Sequence, residues 1–123
     1  MSTEPADDRD GQRAPLLIAC LCAAWCRTCE QYRTVFDAVM ADLGHQVDAR
    51  WVDIEDDEDA LGGVDVVDFP TLLIARGDHI AFYGPVLPHA QTLRQLADRA
   101  LMTELGEIGH PALHGLPARL RRL

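Results

Sequence analysis

Two cysteines three residues apart, Cys26 and Cys29, stand within Trp25-Cys26-Arg27-Thr28-Cys29, where an apolar run gives way to a helical pattern. Thiols at that spacing can close into a reversible disulfide. The run from Leu16 to Leu21, opened by Pro15, is continuous, as in a buried parallel strand. From about Cys26, the polar residues Arg27, Glu30, Arg33, Asp37 and Asp42 interleave with Cys29, Tyr32, Val35, Phe36, Val39, Met40 and Leu43. This three-to-four spacing predicts a helix with one buried face, ended by Gly44. Cys26 then falls at the helix N-terminus, where unpaired N–H groups and the dipole favour negative charge. A thiolate is favoured there, so Cys26 is expected to attack a substrate disulfide. The adjacent Arg27 pushes the same way if its guanidinium folds back. Cys29, one turn on and facing inward, is expected to resolve the mixed disulfide from within the chain.

Cys20 and Cys22 raise the alternative of a four-thiol zinc site. Both lie inside the predicted strand, with their sulfurs on one face and little freedom to wrap a tetrahedral ion. As a pair they read instead as small core hydrophobes whose redox state the sequence leaves open, and no metal is expected.

The rest of the chain supplies the elements that must hold this pair. Residues 47–54 read as a second strand, and Glu55-Asp56-Asp57-Glu58-Asp59 as a solvated acidic loop leading into a short helix near Asp57 to Leu61. The carboxylates of that loop are consecutive and lack the spacing and central glycine of an EF-hand. Residues 69–75 form a third strand opened by Pro70. Arg76-Gly77-Asp78 is a tight turn, and His79 to Tyr83 a fourth strand, paired antiparallel because the connection is so short. A last helix starts at Pro88, with Leu93, Leu96, Ala97, Ala100, Leu101 and Leu105 on its apolar face, and stops at Gly106. The order predicts an α/β fold, a mixed central sheet of at least four strands flanked by helices.

At 123 residues and 48% hydrophobic content the chain has room for one modest core. A net charge of -9 argues against non-specific binding to nucleic acid or anionic membranes. The longest apolar run, residues 15–25, is about half the length needed to span a bilayer. The acidic start, with Glu4, Asp7, Asp8 and Asp10, is unlike a basic secretory leader, so a cytoplasmic location is expected, where cysteines are catalytic, ligating or plain thiols more often than structural staples. Residues 1–14 read as a mobile or lightly structured segment and 15–105 as the domain. Residues 106–123 form a C-terminal tail that could stay mobile or pack on the domain or a partner through Ile108, Leu113, Leu116, Leu120 and Leu123. Its basic end could also meet the acidic surface of residues 53–59.

The element order and two motifs resemble the thioredoxin-like family. Trp25-Cys26-Arg27-Thr28-Cys29 matches its tryptophan plus two-cysteine motif, Phe69-Pro70-Thr71 matches the segment carrying its cis-proline, and Gly84 falls where a glycine precedes its final helix. The resemblance covers about residues 15–105. It implies a thioredoxin-like fold in which Pro70 is cis and faces the cysteine pair, and in which Phe69, Pro70 and Thr71 bind an extended substrate segment beside Cys26. It also implies a thiol–disulfide oxidoreductase acting on protein disulfides, with a flavin-dependent reductase as electron donor and no cofactor of its own. The rival expectation is an interaction module on the same fold, with an idle or regulatory cysteine pair.

Two departures bear on the chemistry. Arg27-Thr28 replaces the Gly-Pro of thioredoxins proper, which predicts a higher reduction potential through a better stabilised thiolate. Cys20 stands where those proteins keep a buried aspartate, and Trp51 falls near the position of its lysine partner. Both charges are then absent together. The resolving thiol must lose its proton to water, a substrate group or Cys20, which predicts slow turnover, above all below neutral pH.

Overall fold

The computed structural model describes residues 15–123, so the N-terminal segment 1–14 lies outside the described residues. Strand β1, Leu16–Cys22, is buried along its whole length. An uninterrupted apolar strand of this kind must be covered on both faces. The sheet meets that condition with the order β2-β1-β3-β4, placing β1 between β2 (Val47–Asp53) and β3 (Thr71–Arg76), with β4 (His79–Pro85) at the far edge. β2 runs parallel to β1, while β3 is antiparallel to both β1 and β4.

The alternation of side chains along β1 sorts the core into two layers. Leu16, Ile18, Cys20 and Cys22 share one cluster with Cys29, Tyr32, Phe36 and Val39 of α1 (Arg27–Leu43) and with Leu93, Ala97 and Ala100 of α3 (Ala90–Leu101). Leu17, Ala19 and Leu21 face the other cluster, with Leu61 of α2 (Glu58–Leu61) and Leu116 and Leu120 of α4 (Leu116–Arg121). Helices therefore cover both faces of a mixed four-stranded sheet. Val47 and Trp51 of β2 pack on the α1 side and Val52 on the other, which fixes the strand face that alternation alone left ambiguous.

The last long helix is shorter than its sequence pattern. It ends at Leu101, because Thr103 adopts φ 57° and the N–H groups of Thr103 and Glu104 reach back to the carbonyls of Ala100 (3.1 Å) and Arg99 (2.8 Å). This is a Schellman closure with a threonine in the place glycine normally takes, so Leu105 and Gly106 fall outside the helix.

In residues 106–123, Ile108 N–H bonds to Ile80 O (2.7 Å) beside β4, and Leu113, Leu116 and Leu120 are at most 1% exposed beneath the sheet. Ile108 and Leu123 stay exposed. Two arginines of this segment find carbonyls in place of the acidic run: Arg119 donates to Ala60 O (2.7 Å) and Leu61 O at the end of α2, and Arg121 to Gly77 O (2.8 Å). Arg119 thus caps carbonyls at the end of α2, where Leu61 O also accepts the N–H of Val64 (3.2 Å). No helix among the described residues is long and apolar enough to cross a membrane.

Candidate active site

β1 ends at Cys22, and a tight turn carries the chain into α1. The N–H of Cys26 bonds to Ala23 O (3.0 Å), and Cys26 O accepts the first helical bond from the N–H of Glu30 (3.1 Å). Cys26 is thereby the N-cap residue, extended in backbone, half-buried and a free thiol. Arg27 and Thr28 are exposed, while Cys29 turns into the core at 1% exposure.

The second motif meets this turn from β3. The Phe69–Pro70 bond is cis, and Trp25 packs edge-on against Phe69 with ring centroids 5.5 Å apart. Thr71 Oγ1 donates to Asp68 O (2.6 Å), and Pro70 O accepts the N–H of Val86 (3.1 Å), tying both sides of the loop. Trp25 itself is 68% exposed, which leaves an apolar surface next in sequence to the half-buried thiol.

The disulfide is not between the expected cysteines. Cys29 is bonded to Cys22, with the two Cα atoms 5.9 Å apart, and Cys26 is left as a thiol. Cys22 is therefore more than a core filler. The physical reason is side-chain parity: Cys20 and Cys22 point to the α1 face of the sheet, and the first turn of α1 lowers Cys29 onto that face. The same parity is present in the sequence, but the closeness of helix and strand at this end is not. Cys20 Sγ lies 3.7 Å from Cys22 Sγ, and because Cys22 is oxidised the hydrogen in that contact belongs to Cys20.

Burial drives the Cys20 thiol strongly upward in pKa, and the charge of Arg33 opposes this only in part. Tyr32 is likewise raised, first by burial and then by Cys20. Cys20 pairs with Trp51 in the parallel register, so the two positions that the resemblance treats as an acid and its cation are neighbours here and both uncharged. Arg33 lies over the Trp51 ring at 4.9 Å. Cys29, Arg33 and Trp51 open onto a cleft of about 490 Å3, completed by Ala23, Ala24, Glu30, Asp53, Asp56 and Asp57. A solvent route therefore runs beside the buried sulfur. In the acidic loop, Asp53 accepts the N–H groups of Glu55 (2.8 Å) and Asp56 (3.0 Å), and Asp57 accepts that of Asp53 (3.0 Å), so these carboxylates hold their own turn. Among the described residues no group of three or more ligating side chains could hold a metal ion.

A half-buried free thiol at a helix mouth, a buried disulfide between the next cysteine and the end of β1, and a cis-proline loop held against Trp25 mark a thioredoxin-fold protein with cysteines placed for thiol–disulfide exchange. The family model for thioredoxin matches residues 9–98, and the chain belongs to the thioredoxin family. Its fold is similar to that of the germline-specific thioredoxin Deadhead of Drosophila melanogaster, with a TM-score of 0.63 at 13% identity over 76% of this chain and 89% of that one. Thioredoxin of Fasciola hepatica gives 0.63 at 18% identity over 76% and 88%. Thioredoxin of Trypanosoma brucei brucei gives 0.62 at 18% identity over 83% and 88%. No curated protein sequence matches the chain significantly. Family membership together with a disulfide-forming cysteine pair makes this a thiol–disulfide oxidoreductase in general terms.

Proposed function

We propose that the protein reduces disulfides in other proteins, with Cys26 as nucleophile and Cys29 as resolving thiol. The observation that carries this reading is the free, half-buried thiol of Cys26 at the N-terminus of α1, bordered by Trp25 and the Phe69–Pro70 loop. Cys26 attacks a substrate sulfur, the other substrate sulfur leaves as thiolate, and Cys29 then attacks Cys26 to release the second half. The cleft beside Cys29 offers solvent to take its proton, the task Cys20 is too reluctant to perform. The Phe69–Pro70–Thr71 segment receives an extended substrate strand. Electrons return from a flavin-dependent reductase, and the reaction belongs in the cytoplasm, where such donors keep thiols reduced.

A second reading, an interaction module with an idle or regulatory pair, is favoured by one observation: Cys29 bonded to Cys22 is unavailable to resolve anything. Trapping separates the two. Cys29→Ser, expressed in cells and recovered under acid quench, should carry disulfide-linked proteins on Cys26 that dithiothreitol releases. An empty Cys26 with partners bound only noncovalently would support the module.

A further inference from the structure

We propose that Cys22 is a third redox-active thiol, which takes over the disulfide from Cys29 and returns Cys26 to the free thiol. This rests on the assignment of Cys26 and Cys29 as the exchanging pair and adds a residue that neither motif contains.

Cys29 is the sulfur that two neighbours can reach. Cys26 lies one helical turn before it at the mouth of α1, and Cys22 lies beneath it at the end of β1. The Cys22–Cys29 Cα separation of 5.9 Å is inside the roughly 4.4–6.8 Å that disulfides span, and the bond is formed with Cys26 left free. The two candidate bonds therefore compete for one sulfur. Cys22 and Cys29 are each 1% exposed, whereas Cys26 is half-buried at the surface. A disulfide moved from Cys26–Cys29 to Cys22–Cys29 is withdrawn from solvent.

The step balances without any further oxidant. Reduction of a substrate disulfide has already left the chain with a Cys26–Cys29 bond. The thiolate of Cys22 attacks Cys29 Sγ, the Cys22–Cys29 bond forms, and the Cys29–Cys26 bond breaks. Cys26 leaves with the electron pair as a thiolate, and the proton given up by Cys22 goes to Cys26 or to solvent. One disulfide becomes another, with no net change in electrons. The bond the structure holds is Cys22–Cys29, with Cys26 a free thiol, and this gives the exchange its direction. Cys20, kept a thiol by burial and 3.7 Å from Cys22 Sγ, supplies an S–H donor to the attacking sulfur. The product holds a reactive Cys26 with no partner free to resolve it. It can exchange disulfides with a second substrate, but it cannot reduce one.

The test uses the full wild-type chain, fully reduced, mixed with an excess of oxidised glutathione at pH 7.5, quenched in acid over time, alkylated and digested. Cleavage after Trp25 and after Arg27 separates Cys22, Cys26 and Cys29 into different peptides. The expected result is an early Cys26–Cys29 linkage that decays as Cys22–Cys29 rises to more than half of the oxidised protein, with Cys26 then open to alkylation or carrying glutathione. A Cys26–Cys29 linkage that persists to equilibrium, with Cys22 alkylated only after denaturation, overturns the relay while leaving the proposed function standing. Absence of any intramolecular disulfide overturns both together.

Discussion

Cys20 is completely buried beside Trp51, where burial makes ionisation of its thiol unfavourable. The sign of the resulting pH dependence follows from linkage. The ordinary value is 9.0 for cysteine and 10.0 for tyrosine, and burial raises both Cys20 and Tyr32 in the folded chain. The unfolded chain therefore releases these protons first, so stability is full below pH 9 and is lost as the pH rises past 9 and then 10. Urea unfolding of the protein with the Cys22–Cys29 bond intact should give a stability that falls above pH 9 through Cys20 and more steeply above pH 10 as Tyr32 joins, each with a limiting slope of about 1.4 kcal/mol per pH unit. Cys20→Ala should flatten that slope, and an unchanged slope in the variant would contradict the buried-thiol assignment. At this scale the two motifs were legible because each is local. Trp25, Cys26 and Cys29 are fixed by one turn of helix, and Phe69 and Pro70 by one loop. The bond from Cys29 to Cys22 was not, since it depends on how closely α1 approaches the end of β1.

The strands and α1 lie where their periodicity places them, with boundaries displaced by a residue or two, because their apolar faces are also their buried faces. α3 departs from its pattern. Leu105 continues the apolar spacing, yet the chain has already turned back at Thr103, a residue that gives no glycine-like signal. The last helix, α4, is too short to announce itself by periodicity and is held by Leu116 and Leu120 against the second core layer. Its importance is measurable by contrast. Leu116→Ala should cost about 2–5 kcal/mol in urea unfolding. Leu123→Ala, at a residue 46% exposed, should change stability by no more than about 0.5 kcal/mol. Equal small effects would mean that residues 116–121 contribute little to the fold.

For the whole molecule, one face of the sheet concentrates the chemistry. Cys20, Cys22 and Cys29 share a layer with the apolar side of α1, and Cys26 stands at the edge of that layer within reach of a substrate. The other face, closed by α2 and α4, carries none of the cysteines. The thioredoxin fold was legible in the order of elements and the spacing of two motifs. What those motifs could not convey is the bond from Cys29 to Cys22 beneath them; the loss of both buried charges, with Cys20 and Trp51 side by side, was already legible in the spacing. Attack of Cys26 on protein disulfides is read out by insulin reduction, followed by turbidity with dithiothreitol as donor. Wild type should hasten precipitation well beyond dithiothreitol alone, and Cys26→Ser should fall back to that background. A wild type no faster than the background, or a Cys26→Ser variant as fast as wild type, would contradict it.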